Sequence, residues 1–248
     1  MREMSDRGAS AGAGAGHRIV RQIPRPEAAL LDRLRGRPAN HFSGPFTLGH
    51  EIALNPAIKP IRDDMYLFGP AVTVRPGPGD HLMSMYATML AQPGDVIVVE
   101  GNGRTDIAIW GFGMSRSLKI RNLAGVVVDG MVLDRKGLLN IDVAVFARGA
   151  NAGWGTRNQP GSINVPVTCG GRTVFPGDLI VGDADGVVVV PRERVEEAVS
   201  LVTAYNDGLA ERAAALREGN RAYFEIVGLQ EVVNKLGIPE LDRDPKAR

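Results

Sequence analysis

The chain is almost without cysteine: Cys169 is the one thiol among 248 residues. A disulfide framework within the chain is excluded, and so is a zinc site built on cysteines. Cys169 closes the apolar run Val165-Pro-Val-Thr-Cys169 and reads as a buried packing residue rather than a nucleophile. Histidine is scarce too. His17, His41, His50 and His81 form no close-spaced pair, which excludes a His-x-x-x-His zinc motif. Neither sign of charge dominates: 29 basic residues face 28 acidic ones. No basic face is implied, so nucleic acid is not the expected partner. No apolar run approaches the roughly 20 residues of a membrane span, and no membrane association is expected. The lone thiol and the absence of a recognisable signal segment point to the cytoplasm. Ser10-Ala-Gly-Ala-Gly-Ala-Gly16 has no side chains able to form a core, so residues 1–16 are expected to be a disordered tail. That leaves 17–248 as a single domain with a helical C-terminal extension.

What the chain does have is a series of short Val- and Ile-rich runs bounded by Gly, Pro, Asn or Asp. These predict strands over 71–75, 96–100, 126–129, 143–147, 164–168, 179–183 and 187–190. Helices are expected over 26–35, 80–91, 105–122, 135–140, 192–218 and 229–236. Asp80 is placed as an N-cap of the second, with Met83, Met85 and Met89 as core filling. An internal echo links Pro93-Gly-Asp-Val-Ile-Val-Val-Glu-Gly-Asn-Gly103 to Pro176-Gly-Asp-Leu-Ile-Val-Gly-Asp-Ala-Asp-Gly186. Each is a tight turn, a buried strand and an acidic glycine turn. The pattern is that of a β-rich α/β domain without a solenoid period.

Two segments carry chemistry. In Gly101-Asn-Gly-Arg-Thr-Asp-Ile-Ala-Ile-Trp-Gly-Phe-Gly-Met-Ser115, the amides of Gly111, Phe112, Gly113 and Met114 stand where a helix start leaves N–H groups free for a carboxylate or phosphate. The spacing fits neither a dinucleotide fingerprint nor a phosphate-binding loop; the alternative is a plain connection. No histidine stands in a recognisable partner motif for Ser115, so nucleophilic catalysis has little support. The second segment is Gly125-Val-Val-Val-Asp-Gly-Met-Val-Leu-Asp134. Asp129, before Gly130, reads as a turn-former. Asp134 reads either as a solvated turn residue or as the single carboxylate of a hard cation such as Mg²⁺, which fills its other positions with water and substrate oxygens.

Several ordered landmarks share a pattern with a known family. They are Pro93-Gly-Asp95, Ala108-Ile-Trp-Gly111, Gly125-Val-Val-Val-Asp-Gly130, Asp134, Val165-Pro-Val167, Gly170-Gly171 with Pro176-Gly-Asp178, and Asp183-Ala-Asp-Gly-Val-Val-Val-Val-Pro191. On them, from about residue 58 to 237, the chain resembles the RraA-like proteins. These include the divalent-metal-dependent 4-hydroxy-4-methyl-2-oxoglutarate and 4-carboxy-4-hydroxy-2-oxoadipate aldolases. The resemblance implies a layered α/β/β fold of the swivelling phosphohistidine-domain kind, with flanking N- and C-terminal helices. It implies a homotrimer or homohexamer with active sites at subunit boundaries. It implies a lyase that breaks a carbon–carbon bond of a 2-oxo acid, by retro-aldol cleavage or decarboxylation, with Mg²⁺ or Mn²⁺ as the Lewis acid that stabilises a pyruvate enolate. Asp134 is then the metal ligand. Amides near Gly113 and Met114 hold the substrate carboxylate, and Glu51 and Glu211 reach a metal-bound water from a neighbouring subunit.

Two positions depart from the family. The aldolases carry Arg before the metal-binding Asp, where this chain has Leu133. They carry Asp or Glu after the Gly of the Trp-Gly motif, where it has Phe112. Losing such a charged group in an active site costs on the order of 10²–10³ in rate. Arg135, Arg104 and Arg116 are the nearby candidates to replace it, with surface charge as their alternative reading. The apolar pair suggests a less polar substrate. The other readings left open are a divergent enzyme on the same scaffold and a non-catalytic oligomeric binding or regulatory protein.

Overall fold

The computed structural model describes residues 16–217 and 222–239, so the expected tail, Gly16 apart, lies outside the described residues. The chain divides into two compact units, Met1–Val202 and Thr203–Arg248. The strands are β1 (Lys59–Pro60), β2 (Leu67–Arg75), β3 (Val96–Val99), β4 (Ala108–Trp110), β5 (Gly125–Val132), β6 (Ala144–Ala150), β7 (Ser162–Ile163), β8 (Val167–Cys169), β9 (Arg172–Val174), β10 (Leu179–Asp183) and β11 (Gly186–Val190). The helices are α1 (Ala28–Leu34), α2 (Leu82–Leu90), α3 (Phe112–Ile120), α4 (Arg135–Leu138), α5 (Val195–Arg217), α6 (Tyr223–Ile226) and α7 (Leu229–Lys235).

Among the described residues, the main sheet runs β1-β6-β5-β3-β2-β10-β11, with β4 beside β5 and β7 beside β2. Strands β2, β3, β5 and β6 are mutually parallel, and β4 is parallel to β5. Strands β1, β10 and β11 pair antiparallel. The uninterrupted Val/Ile runs of β3 and β5 fit this placement, because a central parallel strand is covered on both faces. Val96, Val98 and Val127 face one core with Phe146, Val167 and Cys169; Ile97, Val99, Val126 and Val128 face another with Ala87 and Leu118 of α2 and α3. Helices thus cover one face, and the β8–β9 hairpin with β10 and β11 covers the other, giving the layered α/β/β arrangement. Lys59 Nζ donates to the carbonyls of Ala184 (3.3 Å) and Asp185 (2.7 Å) in the β10–β11 turn. The two ends of the sheet therefore meet, and it curls into a nearly closed barrel.

The two Pro-Gly-Asp units become β3 and β10, which flank β2 on opposite sides. Their buried aspartates do equivalent work. Asp95 accepts from the Gln92 amide (2.8 Å) and Asp178 from the Phe175 amide (2.8 Å), each three residues upstream. Asp95 gains a bidentate partner in Arg25, at 2.9 and 2.7 Å. Burial pushes the Asp178 carboxyl above its ordinary value.

Three local expectations need correction. The segment 105–122 is not one helix: strand β4 takes 108–110 and α3 begins at Phe112. The apolar triplet Ala108-Ile-Trp110 is fully buried beside β5, and Gly111 separates the two elements. The strand expected over 164–168 forms only at its end, where β8 begins at Val167, because Asn164 takes φ +58° and Pro166 lacks an N–H. Asp129 is not a turn-former. It lies inside β5, which continues to Val132, and its buried carboxylate pairs with Arg148 at 2.6 Å and accepts from the Gly170 amide at 3.0 Å.

The second unit holds the end of α5 with α6 and α7. Among the described residues, no helix is long and apolar enough to cross a membrane.

Candidate active site

Trp110 sets the local geometry. Its indole is fully buried and donates to Ser115 Oγ at 2.8 Å, while Ser115 Oγ donates to the Gly111 carbonyl at 3.2 Å. Ser115 is thereby a structural hydroxyl inside the first turn of α3. The Trp110 carbonyl accepts from the Leu133 amide at 2.9 Å, tying the end of β4 to the end of β5. The tie presses Gly111 against the neighbouring chain: an added Cβ there would stand 3.0 Å from Leu133 Cγ and 3.3 Å from Asp134 Oδ2. The close approach, rather than the backbone conformation, favours glycine at 111: a Cβ would need the Leu133 and Asp134 side chains to give by a few tenths of an ångström, whereas its φ of −161° is ordinary extended backbone. Asp134 adopts the left-handed conformation (φ +58°, ψ +36°) immediately before α4. Asp tolerates that region better than most residues. Its carbonyl caps α4 by accepting from Gly137 (2.8 Å) and Leu138 (3.1 Å). Its carboxylate has no hydrogen bond or ion pair among the described residues.

The result is a cavity of about 560 Å³ that contains Gly111, Gly113 and Met114 from the start of α3 together with Leu133 and Asp134. The first N–H groups of a helix have no intrahelical acceptor, so the amides of α3 supply anion donors beside the Asp134 carboxylate.

The other residues singled out from sequence fall elsewhere. Phe112 turns to the far side of α3: its Cδ2 would be 2.8 Å from a Cβ on Gly137, and it lines a separate 380 Å³ cavity together with Arg116. Arg104 makes a bidentate pair with Asp106, at 2.9 and 2.6 Å, and borders a third cavity of 130 Å³ near Glu100. Arg135 is exposed at the start of α4 and does not border the Asp134 cavity. Glu51 sits in a 3-10 turn beside Gly49, away from the cavity of its own chain. The side chain of Glu211 lies outside the described residues. Cys169 is fully buried, and burial, with the negative charge of Asp129 adding to it, pushes its thiol far above the normal range.

Sequence reasoning missed the opposite side of the site. His81, Trp154 and Arg157 line the same cavity as Asp134. The His81 and Trp154 rings lie 6.4 Å apart with 26° between their planes. Asp80 organises this side. Its fully buried carboxylate accepts from Leu82 N (2.7 Å), Thr156 Oγ1 (2.8 Å), Asn158 N (2.7 Å) and Gln159 N (2.9 Å), so from one residue before the N-cap, His81, it holds the first N–H of α2 and also pins the loop that carries Arg157. Burial raises the Asp80 carboxyl, but the four hydrogen bonds together outweigh it and hold the value below that of an ordinary aspartate. Burial lowers the His81 value, with Arg157 acting the same way against Asp80, which favours the neutral imidazole. Met85 and Met89 also line the cavity, and Met89 is 63% exposed, so these two are not core filling. The one signal for this region in the sequence was Asp80-His81 after Pro78-Gly79; nothing local announced that residues 154–159 return to it.

Comparison with known proteins settles the family. The family model described as RraA-like, Aldolase/RraA, matches residues 28–189, more than half of the chain. The chain belongs to the RraA-like family. A Halalkalibacterium halodurans protein named "Putative 4-hydroxy-4-methyl-2-oxoglutarate aldolase" is 41% identical over 149 residues, covering 59% of this chain and 70% of that protein. Among solved structures, an uncharacterized protein from Pseudomonas syringae pv. tomato superposes with a TM-score of 0.72 at 25% identity, covering 82% of this chain and 98% of its own. Streptomyces coelicolor RraAS2, described as an unusual member of the RNase ES inhibitor RraA protein family, gives a TM-score of 0.66 at 28% identity, covering 78% of this chain and 100% of its own. The fold and the family are therefore those that the ordered landmarks implied.

Proposed function

We propose that this RraA-like protein is a carbon–carbon lyase that cleaves a 4-hydroxy-2-oxo acid by a retro-aldol reaction, with Mg²⁺ or Mn²⁺ held by Asp134. The observation that carries the reading is the meeting, in one cavity, of an unpartnered carboxylate and the free amides of α3. Similarity to the H. halodurans protein supports the reaction class.

Among the described residues, no three His, Cys, Asp or Glu side chains cluster. One carboxylate beside a water-accessible cavity fits a hard cation that keeps water and substrate oxygens in its remaining positions, and does not fit a closed zinc site. When bound, such a cation supplies Lewis acidity toward the 2-oxo group.

The protein's own groups supply the rest. The α3 amides receive the C1 carboxylate, oriented by the helix start. Arg157, the guanidinium that lines the cavity, pairs with the anionic end of the substrate in the role that Leu133 cannot fill. His81, whose neutral form burial favours, accepts the proton of the C4 hydroxyl. The C3–C4 bond then breaks, C4 becomes a carbonyl, and the bonding pair passes into an enolate spanning C3 and the C2 oxygen. Protonation of C3 yields pyruvate. Because Glu51 lies away from the cavity of its own chain, a role for it requires a neighbouring copy in a trimer or a pair of trimers.

Pyruvate release with Mg²⁺ or Mn²⁺, compared between the native chain and Asp134→Ala, tests the proposal. A loss on the order of 10²-fold or more is expected. Equal release from both proteins removes Asp134 from the mechanism.

A further inference from the structure

The chemistry of the cavity wall says more about the substrate than its reacting end does. Two of the hydroxyls on the wall are already used inside their own helices: Thr88 Oγ1 donates to the Met85 carbonyl at 2.7 Å and Ser117 Oγ donates to the Gly113 carbonyl at 3.3 Å. Asp134, the α3 amides, Arg157 and His81 serve the 2-oxo acid and its hydroxyl. What remains is dominated by thioethers and hydrocarbon, from Met85, Met89, Leu133, Trp154 and Tyr86. At about 560 Å³ the cavity falls within the range of roughly 300–1,000 Å³ typical of sites for whole organic ligands, well beyond the needs of a three-carbon head.

An acidic arm on the substrate would need a second cation here, and the structure keeps the candidates elsewhere. Arg104 is paired to Asp106 beside a different cavity, and Arg116 lines the cavity on the far side of α3. A carboxylate laid against methionine and leucine without a partner loses its hydration for nothing in return. An aromatic or alkyl arm gains on the same wall, where the polarizable methionine sulfurs and the Trp154 face suit a ring.

We infer that the substrate is a 4-hydroxy-2-oxo acid whose C4 bears an uncharged aryl or alkyl arm, seated against Met85, Met89, Leu133 and Trp154. The inference rests on the lyase reading for its reacting end and on the wall for its arm. The balanced reaction needs no further reactant: R–CH(OH)–CH₂–CO–COO⁻ gives R–CHO and pyruvate. The hydroxyl proton leaves as C4 becomes the aldehyde, and one proton is returned to C3.

Binding and turnover separate the two parts. Calorimetry on the full chain with Mg²⁺ compares 2-oxo-4-phenylbutanoate with 2-oxoglutarate. Neither has a 4-hydroxyl, so neither is cleaved. The phenyl ligand is expected to bind at least tenfold more tightly, in line with the roughly 10–200-fold that one methylene can contribute in an apolar pocket. Met85→Glu and Leu133→Arg, on two different elements, should each cut that ratio at least tenfold, so the test does not depend on one variant folding. Equal binding, preference for 2-oxoglutarate or no binding by either overturns the assignment of the arm. Turnover of 4-hydroxy-2-oxo-4-phenylbutanoate is then followed as pyruvate and benzaldehyde. Preferential binding without cleavage upholds the arm and removes the lyase reading. Faster cleavage of an acid-armed analogue than of the phenyl substrate keeps the lyase reading and removes the arm.

Discussion

Asp80→Asn is the most searching change outside the reacting residues, because one buried carboxylate holds two elements of the site together. The native carboxylate takes one hydrogen bond on Oδ1, from Leu82 N, and three on Oδ2, from Thr156, Asn158 and Gln159. An asparagine can direct its oxygen to the three loop donors, but its NH₂ then opposes the Leu82 amide. A hydrogen bond to a charged acceptor is worth about 1.5–3 kcal/mol net and a neutral one about 0.5–1.5, so three bonds each weakened by about 1–1.5 kcal/mol and one orphaned N–H at about 1–3 amount to roughly 4–7 kcal/mol. The cost falls on the loop carrying Trp154 and Arg157 and on the start of α2. Urea unfolding should therefore show the loss at pH 7, and the Michaelis constant should rise as Arg157 loses its position. The pH dependence identifies the cause. The folded Asp80 value lies below the unfolded one, so its stabilisation is fully present above the ordinary aspartate value of 3.8 and is lost as pH falls through the folded value. The stability difference between native and variant should stay flat from neutral pH down to about pH 5 and shrink at pH values below the ordinary aspartate value. A loss below about 1 kcal/mol at pH 7, within the range of one ordinary hydrogen bond, or a difference that grows on acidification, would refute the argument.

Two further outcomes follow from the same geometry. Arg148→Met leaves Asp129 buried with the Gly170 amide as its remaining partner and should cost about 3–5 kcal/mol in denaturant unfolding; pairing it with Asp129→Asn should recover much of that loss, and additive costs would speak against a coupled pair. Phe112→Glu installs the acid that the resemblance implies after the Trp-Gly pair, but the Phe112 side chain faces the cavity of Arg116 rather than that of Asp134. No gain in pyruvate release is expected, and a clear gain would show that residue 112 reaches the reacting centre.

The fold was largely legible because its strands are bounded by strong local signals. The runs 179–183 and 187–190 stop at Asp and Gly turns, and the structure places β10 and β11 there within a residue. The errors arose where tertiary partners overrode a local pattern. Asp129-Gly130 looks like a turn, yet Arg148 from the adjacent strand neutralises the aspartate and the strand runs on. Ala108-Ile-Trp110 carries no strand boundary of its own and is drawn into the sheet by β5. The Asp134 half of the site was readable, because glycine spacing and a carboxylate at a strand end are sequence-local features. The Arg157 half was not: its link to His81 runs through Asp80, across 76 residues to Thr156, and no spacing rule reaches that far.

That division reflects how the scaffold assembles a site. In parallel α/β sheets the backbone leaves every strand on the same side, so loops distant in sequence converge at the carboxyl ends. Here β2 leads through Asp80 and His81 into α2, β4 through Gly111 into α3, β5 through Leu133 to Asp134, and β6 onward to Trp154 and Arg157. All four exits border one cavity. The strands themselves are packed rigidly by residues such as Ile97, Val99 and Val128, which are fully buried, and tolerate little change. The exits are free to vary, because an exit residue such as Leu133 affects the cavity wall without entering the sheet register. A leucine at such an exit therefore leaves the sheet untouched and sets what the cavity can hold. The RraA-like scaffold thus presents the Asp134 carboxylate beside a wall that is largely apolar.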